Sequence, residues 1–109
     1  MATKKVRPVH PGEILRHDFM DPLKLTAYRV AKDLGVSAPT VNEIVRRRKS
    51  VTAEMALRLA RYFGTSAQLW LNLQTQYDLE VASQKVGKKI DKTIQPAVLP
   101  SPAPADRAA

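Results

Sequence analysis

The stretch from Thr26 to Ile44, TAYRVAKDLGVSAPTVNEI, decides how this chain is read. Val30, Ala31 and Leu34 recur at helical spacing and stop at Gly35, a residue that enters the left-handed backbone region without a side-chain penalty. Val36 plugs the corner, and Ser37 is placed to cap a second helix whose inner face is Val41, Ile44 and Val45. Ala31, four residues before the glycine, is small where two crossing helices must approach closely. An ordinary helical hairpin shares this skeleton, so the outer face of the second helix has to separate the cases. That face offers Ser37, Ala38, Pro39, Thr40, Asn42 and Glu43, mostly short or polar, and Arg46-Arg47-Arg48-Lys49 follow at its exit. A helix-turn-helix, which lays its second helix in the DNA major groove, requires this combination.

Outward from the motif, residues 1–9 read as a flexible basic arm and residues 10–83 as one domain. Pro11 suits the first position of a helix and Glu13 its first turn; Ile14, Leu15 and Phe19 form the inner face, and the helix ends before Pro22. Thr26 caps the first motif helix. Thr52 opens a fourth helix with the stripe Ala56, Leu59, Ala60 and Phe63, and Gly64 is its left-handed cap. Ser66 opens a fifth, with Trp70, Leu73, Tyr77 and Val81 on one side, running to about Ala82. The spacing predicts an all-α, compact five-helix domain. Residues 84–109 turn lysine-rich and then Pro/Ala-rich, with no aromatic after Tyr77, and such a tail is expected to be disordered when free.

A formal net charge of +8 on 109 residues favours a polyanionic partner. Residues 1–83 hold 13 Lys/Arg against 8 Asp/Glu, and residues 84–109 hold 5 against 2, so both parts are basic. No apolar run approaches the ~20 residues that cross a bilayer, and MATKKVRPVHPGE has cations but no apolar core of a secretory signal. Zero cysteines exclude a disulfide scaffold and a thiolate metal site. The expectation is a cytoplasmic protein without membrane contact, cofactor or metal. Catalysis has no support: the only two histidines, His10 and His17, lack a second ligand cluster, and the four glycines are scattered. His10 reads as a helix-start residue and His17 as a solvent-facing one.

With those residues placed, the chain resembles the HigA/VapI-type antitoxins, a branch of the phage-repressor-like helix-turn-helix superfamily. The matching pieces are HPGEIL at 10–15, Pro22-Leu23, LGVS at 34–37, Thr52 with MALRLA at 55–60, FGTS at 63–66, WLNLQ at 70–74 and YDL at 77–79. The helix-turn-helix piece is widely shared; HPGEIL together with WLNLQ is far more specific. The resemblance spans residues 10–82 and implies a homodimer on a palindromic double-stranded operator that represses its own operon. It also implies a cognate RelE-like (HigB-type) ribonuclease toxin held inactive. The competing reading is a stand-alone or phage-derived repressor with no toxin.

Two departures bear on mechanism. Superfamily members often carry glutamine where this chain has Ala27 and Pro39, and neither residue can make a bidentate contact to adenine. Arg47 and its neighbours replace an Asn-Gly pair, so the second motif helix either runs on or ends without a glycine cap. Base reading is therefore expected from Thr40, Asn42, Glu43 and Arg46, with a thymine-methyl contact from Ala38 or Pro39. Phosphate contacts are expected from Arg46, Arg47, Arg48 and Lys49 and from the helix start at Thr26, while Ser37 belongs to the exposed DNA-binding face of the second helix. For a basic toxin, the acidic candidates are Glu13, Asp18 and Asp21. For a subunit contact they are Leu69, Leu71 and Leu79, while Trp70 and Tyr77 read as core.

Overall fold

The computed structural model describes residues 7–98 and is all helical there. The first helix, α1, opens as Pro11–Ile14 and continues without a break as a π-helical stretch, Leu15–Met20. Four more follow: α2 Ala27–Leu34, α3 Ala38–Val45, α4 Ala53–Phe63 and α5 Ala67–Thr93. The sequence pattern forecasts an α-helix at α1, not the widened turn. That turn is visible in the bond from Asp21 N–H to the Arg16 carbonyl, 2.8 Å across five residues.

Each element starts on a side-chain cap. The hydroxyls of Thr26, Ser37, Thr52 and Ser66 accept from the backbone N–H three residues ahead, each such cap being worth about 1 kcal/mol. His10 caps α1: its Nδ1 accepts from Gly12 N–H at 2.9 Å, while the Glu13 carboxylate reaches back to His10 N–H. Gly35 and Gly64 end α2 and α4 at φ +77° and +73°.

The core is built from both ends of the motif. Val30, Ala31 and Leu34 of α2 meet Val41 and Ile44 of α3, with Leu15, Leu59 and Trp70 closing over them. Trp70 is fully buried, its ring 5.2 Å from Phe19, and its indole N–H donates to Thr65 Oγ1 at 2.8 Å. Burial of the Val, Leu and Ile side chains around it is worth about 1.5–3 kcal/mol each.

Two close contacts fix the motif against its frame. A Cβ on Gly12 would stand 1.8 Å from the Ile44 carbonyl oxygen, so the start of α1 seats backbone-to-backbone on the end of α3. Gln74, buried on α5, accepts from Val51 N–H at 2.7 Å and donates to Asp78 at 3.0 Å. That bond anchors the far end of the basic loop.

The fifth helix departs from expectation. It runs past Ala82 and through the lysine-rich stretch to Thr93. Residues 83–93 hold no proline and one glycine, so a helix nucleated on the packed body propagates at little cost. It stops where Ile94 becomes extended, two residues before Pro96, whose ring disfavours helix in the residue before it. The expected basic arm and Pro/Ala-rich end fall largely on residues 1–6 and 99–109, outside the described residues.

Candidate nucleic-acid interface

α3 is amphipathic with a sharp division. Val41 and Ile44 face the core, while Pro39, Asn42 and Arg46 are exposed and Ala38 and Glu43 are half-buried. By helical register Ala38, Pro39, Asn42 and Arg46 share one side, with Glu43 at its border. Thr40 falls elsewhere. It lines a small cleft with Val36, Thr52, Glu54, Met55 and Arg58, against the start of α4. Its hydroxyl is 2.7 Å from that of Ser37, which also caps the helix at Thr40 N–H. The structure thus brings Thr40 to Ser37 and α4, not to the side that Asn42 presents.

Thr26, by contrast, joins that side. It lines one cleft with Asn42, Val45, Arg46, Arg16 and Asp21, so the start of α2 and the exit of α3 border a common surface. Its hydroxyl caps α2 by accepting from Arg29 N–H at 3.1 Å.

The exit of α3 resolves the departure at Arg47. The helix ends after Val45, and Arg47 itself adopts the left-handed conformation, φ +65°. Arg47 N–H donates to the Ile44 carbonyl and Arg48 N–H to that of Glu43, at 2.9 and 2.8 Å. This is the double bond pattern of a glycine-ended helix, with arginine where glycine is usual. The reversal fans out Arg46, Arg47, Arg48 and Lys49, all exposed.

Behind this fan stands Glu13. Its carboxylate accepts from Arg7 at 2.9 and 3.1 Å and lies 3.6 Å from Arg47 Nη1. The Arg7 hydrogen bonds, with a bond from the His10 backbone and the charges of Arg7 and Arg47, hold it at about 2. Beside it, burial pushes the His10 imidazole below its ordinary range; that ring stacks edge-on against Tyr77 at 4.8 Å. Arg16 and His17 of α1 line a second cleft with Arg46, Arg47 and Arg48.

Sequence reading missed Arg7, Arg16, His17 and the pairing role of Glu13. They lie some thirty residues from the basic run, and no periodicity links them to it. Of the acidic candidates, Glu13 is committed to the two arginines. Asp18 and Asp21 are exposed, the latter 3.5 Å from His17. Of the subunit-contact candidates, Leu69 and Leu79 are exposed, whereas Leu71 is half-buried and packed on the core. Among the described residues no group of carboxylates and histidines could hold a metal ion, and no helix is long and apolar enough to cross a membrane.

Comparison with known proteins agrees with this geometry. A helix-turn-helix family model matches residues 18–70. Virulence-associated protein I of Dichelobacter nodosus is 55% identical over 76 residues, covering 70% of each chain. Antitoxin HigA-1 of Vibrio cholerae is 35% identical over 79 residues, 72% of this chain and 74% of that one. The solved structure of Pseudomonas aeruginosa antitoxin HigA with the higBA promoter superposes with TM-score 0.82 at 50% identity, covering 84% of this chain and all of that one. By these similarities and its fold, the chain belongs to the HigA/VapI family of helix-turn-helix antitoxins, regulators that are not enzymes.

Proposed function

We propose that this protein is an antitoxin that also represses its own operon, binding a palindromic double-stranded operator as a homodimer and neutralising a cognate RelE-like (HigB-type) toxin. The observation that carries the DNA half is the union of an open α3 side, centred on Asn42 and bordered by Thr26, with four exposed cations at the helix exit. Ala38, Pro39, Asn42, Glu43 and Arg46 are the base-facing set, and Arg46 to Lys49 with the α2 start grip phosphates. Similarity to a HigA whose structure holds its promoter supports this reading.

One helix-turn-helix reads only a few base pairs, so two-fold pairing over half-sites about one helical turn apart is the physical requirement. Leu79, Val86 and Ile90 form an exposed apolar stripe on α5 and, with Leu69 at its start, supply the surface for that pairing. The toxin half rests on family membership, and of the three acidic candidates Asp18 and Asp21 are the exposed ones that a basic partner could reach. Co-expression with the toxin gene of its own operon tests it. Growth rescue and a stable complex are expected; unrelieved toxicity would leave a stand-alone repressor.

A further inference from the structure

A cleft of 610 Å³ opens between the start of α1, the loop after α3 and the middle of α5. Arg7, Arg46, Arg47 and Lys85 line it, with Tyr77 and Val81 among its walls and Glu13 as its single carboxylate. Four cations thus face one anion. Glu13 orients two of them, Arg7 and Arg47, and cancels only one charge.

The register of α5 continues this surface outward. Trp70, Gln74, Tyr77 and Val81 occupy the side that packs on the body. Beyond the body the same side carries Lys85, Lys88 and Lys92, at four, seven and eleven residues from Val81. The opposite side carries the apolar Leu79, Val86 and Ile90. A merely solubilising terminus would mix the two chemistries. At 1.5 Å rise per residue the lysine row spans about 10 Å, close to three steps of a DNA strand at about 3.4 Å each.

We propose that Lys85, Lys88 and Lys92, with Arg7 at the cleft mouth, form a second, sequence-independent track for the DNA phosphate backbone, extending the interface beyond the half-site that α3 reads. This rests on the DNA reading above. The occupant is duplex DNA because the cleft shares Arg46 and Arg47 with the exit of α3. A strand gripped there already lies at its entrance. An exposed row of lysines, with the exposed apolar residues of this segment on the opposite side of the helix, suits phosphates better than a protein partner.

The test is the salt dependence of binding by the full chain, measured on a duplex carrying its own operon's promoter and on an unrelated duplex of equal length. A Lys85→Gln/Lys88→Gln/Lys92→Gln variant is expected to lose about 2 to 3 units of the log K against log salt slope per protomer, about 5 for the bound homodimer, on both duplexes. Affinity at 0.15 M salt should fall on the order of 100-fold per protomer engaged, about 10⁴-fold for the homodimer. The corresponding triple Lys→Arg variant should keep the wild-type slope. Sedimentation should show the same oligomer in all three proteins. An unchanged slope in the glutamine variant overturns the track. So does an unchanged slope coupled to loss of a co-expressed protein partner, which would assign the row to that partner. A wild-type protein that binds neither duplex would overturn the DNA reading itself.

Discussion

Glu13 and Arg47 lie 3.6 Å apart, joining the first turn of α1 to the residue that reverses the chain after α3. The same carboxylate holds Arg7 and contributes to the α1 capping box. One acidic side chain therefore connects a helix start, the N-terminal segment and the basic fan.

The pairing makes stability pH-dependent in a defined window. The Glu13 carboxyl is lowered from 4.5 to about 2, first by the Arg7 hydrogen bonds. The folded protein thus binds this proton less readily than the unfolded chain. The stabilisation is complete above pH 4.5 and is lost as pH falls toward 2. Thermal unfolding between pH 5 and pH 2 should show a falling midpoint, with a flatter profile in Glu13→Gln. Parallel profiles would show that the carboxylate contributes nothing.

Arg47 combines a backbone liability with a charge. A non-glycine residue in the left-handed region costs about 1–2 kcal/mol. Arg47→Gly removes that strain along with the Glu13 pair, an exposed contact worth ~0–1 kcal/mol. Its midpoint should match or exceed that of the wild type, while the salt slope of DNA binding falls by about 0.9 per bound protomer. Arg47→Ala should lower both. A glycine variant with an unchanged slope would remove Arg47 from the phosphate contacts.

Asn42 and Thr40 are expected to part company. Asn42→Ala should cost about 1–3 kcal/mol on the cognate site and little on random DNA. Thr40, held by Ser37 and packed toward α4, should change stability without changing the ratio of cognate to random affinity. Competition binding on both duplexes measures this. Equal losses on both for Asn42→Ala would make it a positioning residue.

Gly12→Ala tests the seat of α1 on α3. Its methyl would meet the Ile44 carbonyl at 1.8 Å, a backbone atom that moves only with the helix. Overpacking of this kind costs typically 1–3 kcal/mol. Denaturant unfolding should show at least that loss, whereas Gly64→Ala meets no neighbouring atom within 4 Å and suffers only left-handed strain.

The motif was legible because its signals are local: caps, a glycine at the corner and apolar spacing over nineteen residues all sit within a few turns. Gly35, Gly64, Ser37 and Thr52 play the roles their positions predict. Arg47 ends its helix as glycine would, which sequence could only pose as an alternative. The pairs Gln74–Val51, Glu13–Arg47 and Gly12–Ile44 are separated by 23 or more positions, and no periodicity joins them. The reach of α5 was hidden by composition, because lysine-rich sequence resembles a disordered tail while its residues are good helix formers. The i, i+7, i+11 spacing of Leu79, Val86 and Ile90 was the available signal.

The most direct measurement is to purify the protein from its native cells under nuclease treatment and determine the mass of whatever remains bound. A stoichiometric small basic protein encoded in the same operon is the expected result. A clean homodimer, with that neighbour demonstrably expressed, would contradict toxin neutralisation and leave a DNA-binding repressor.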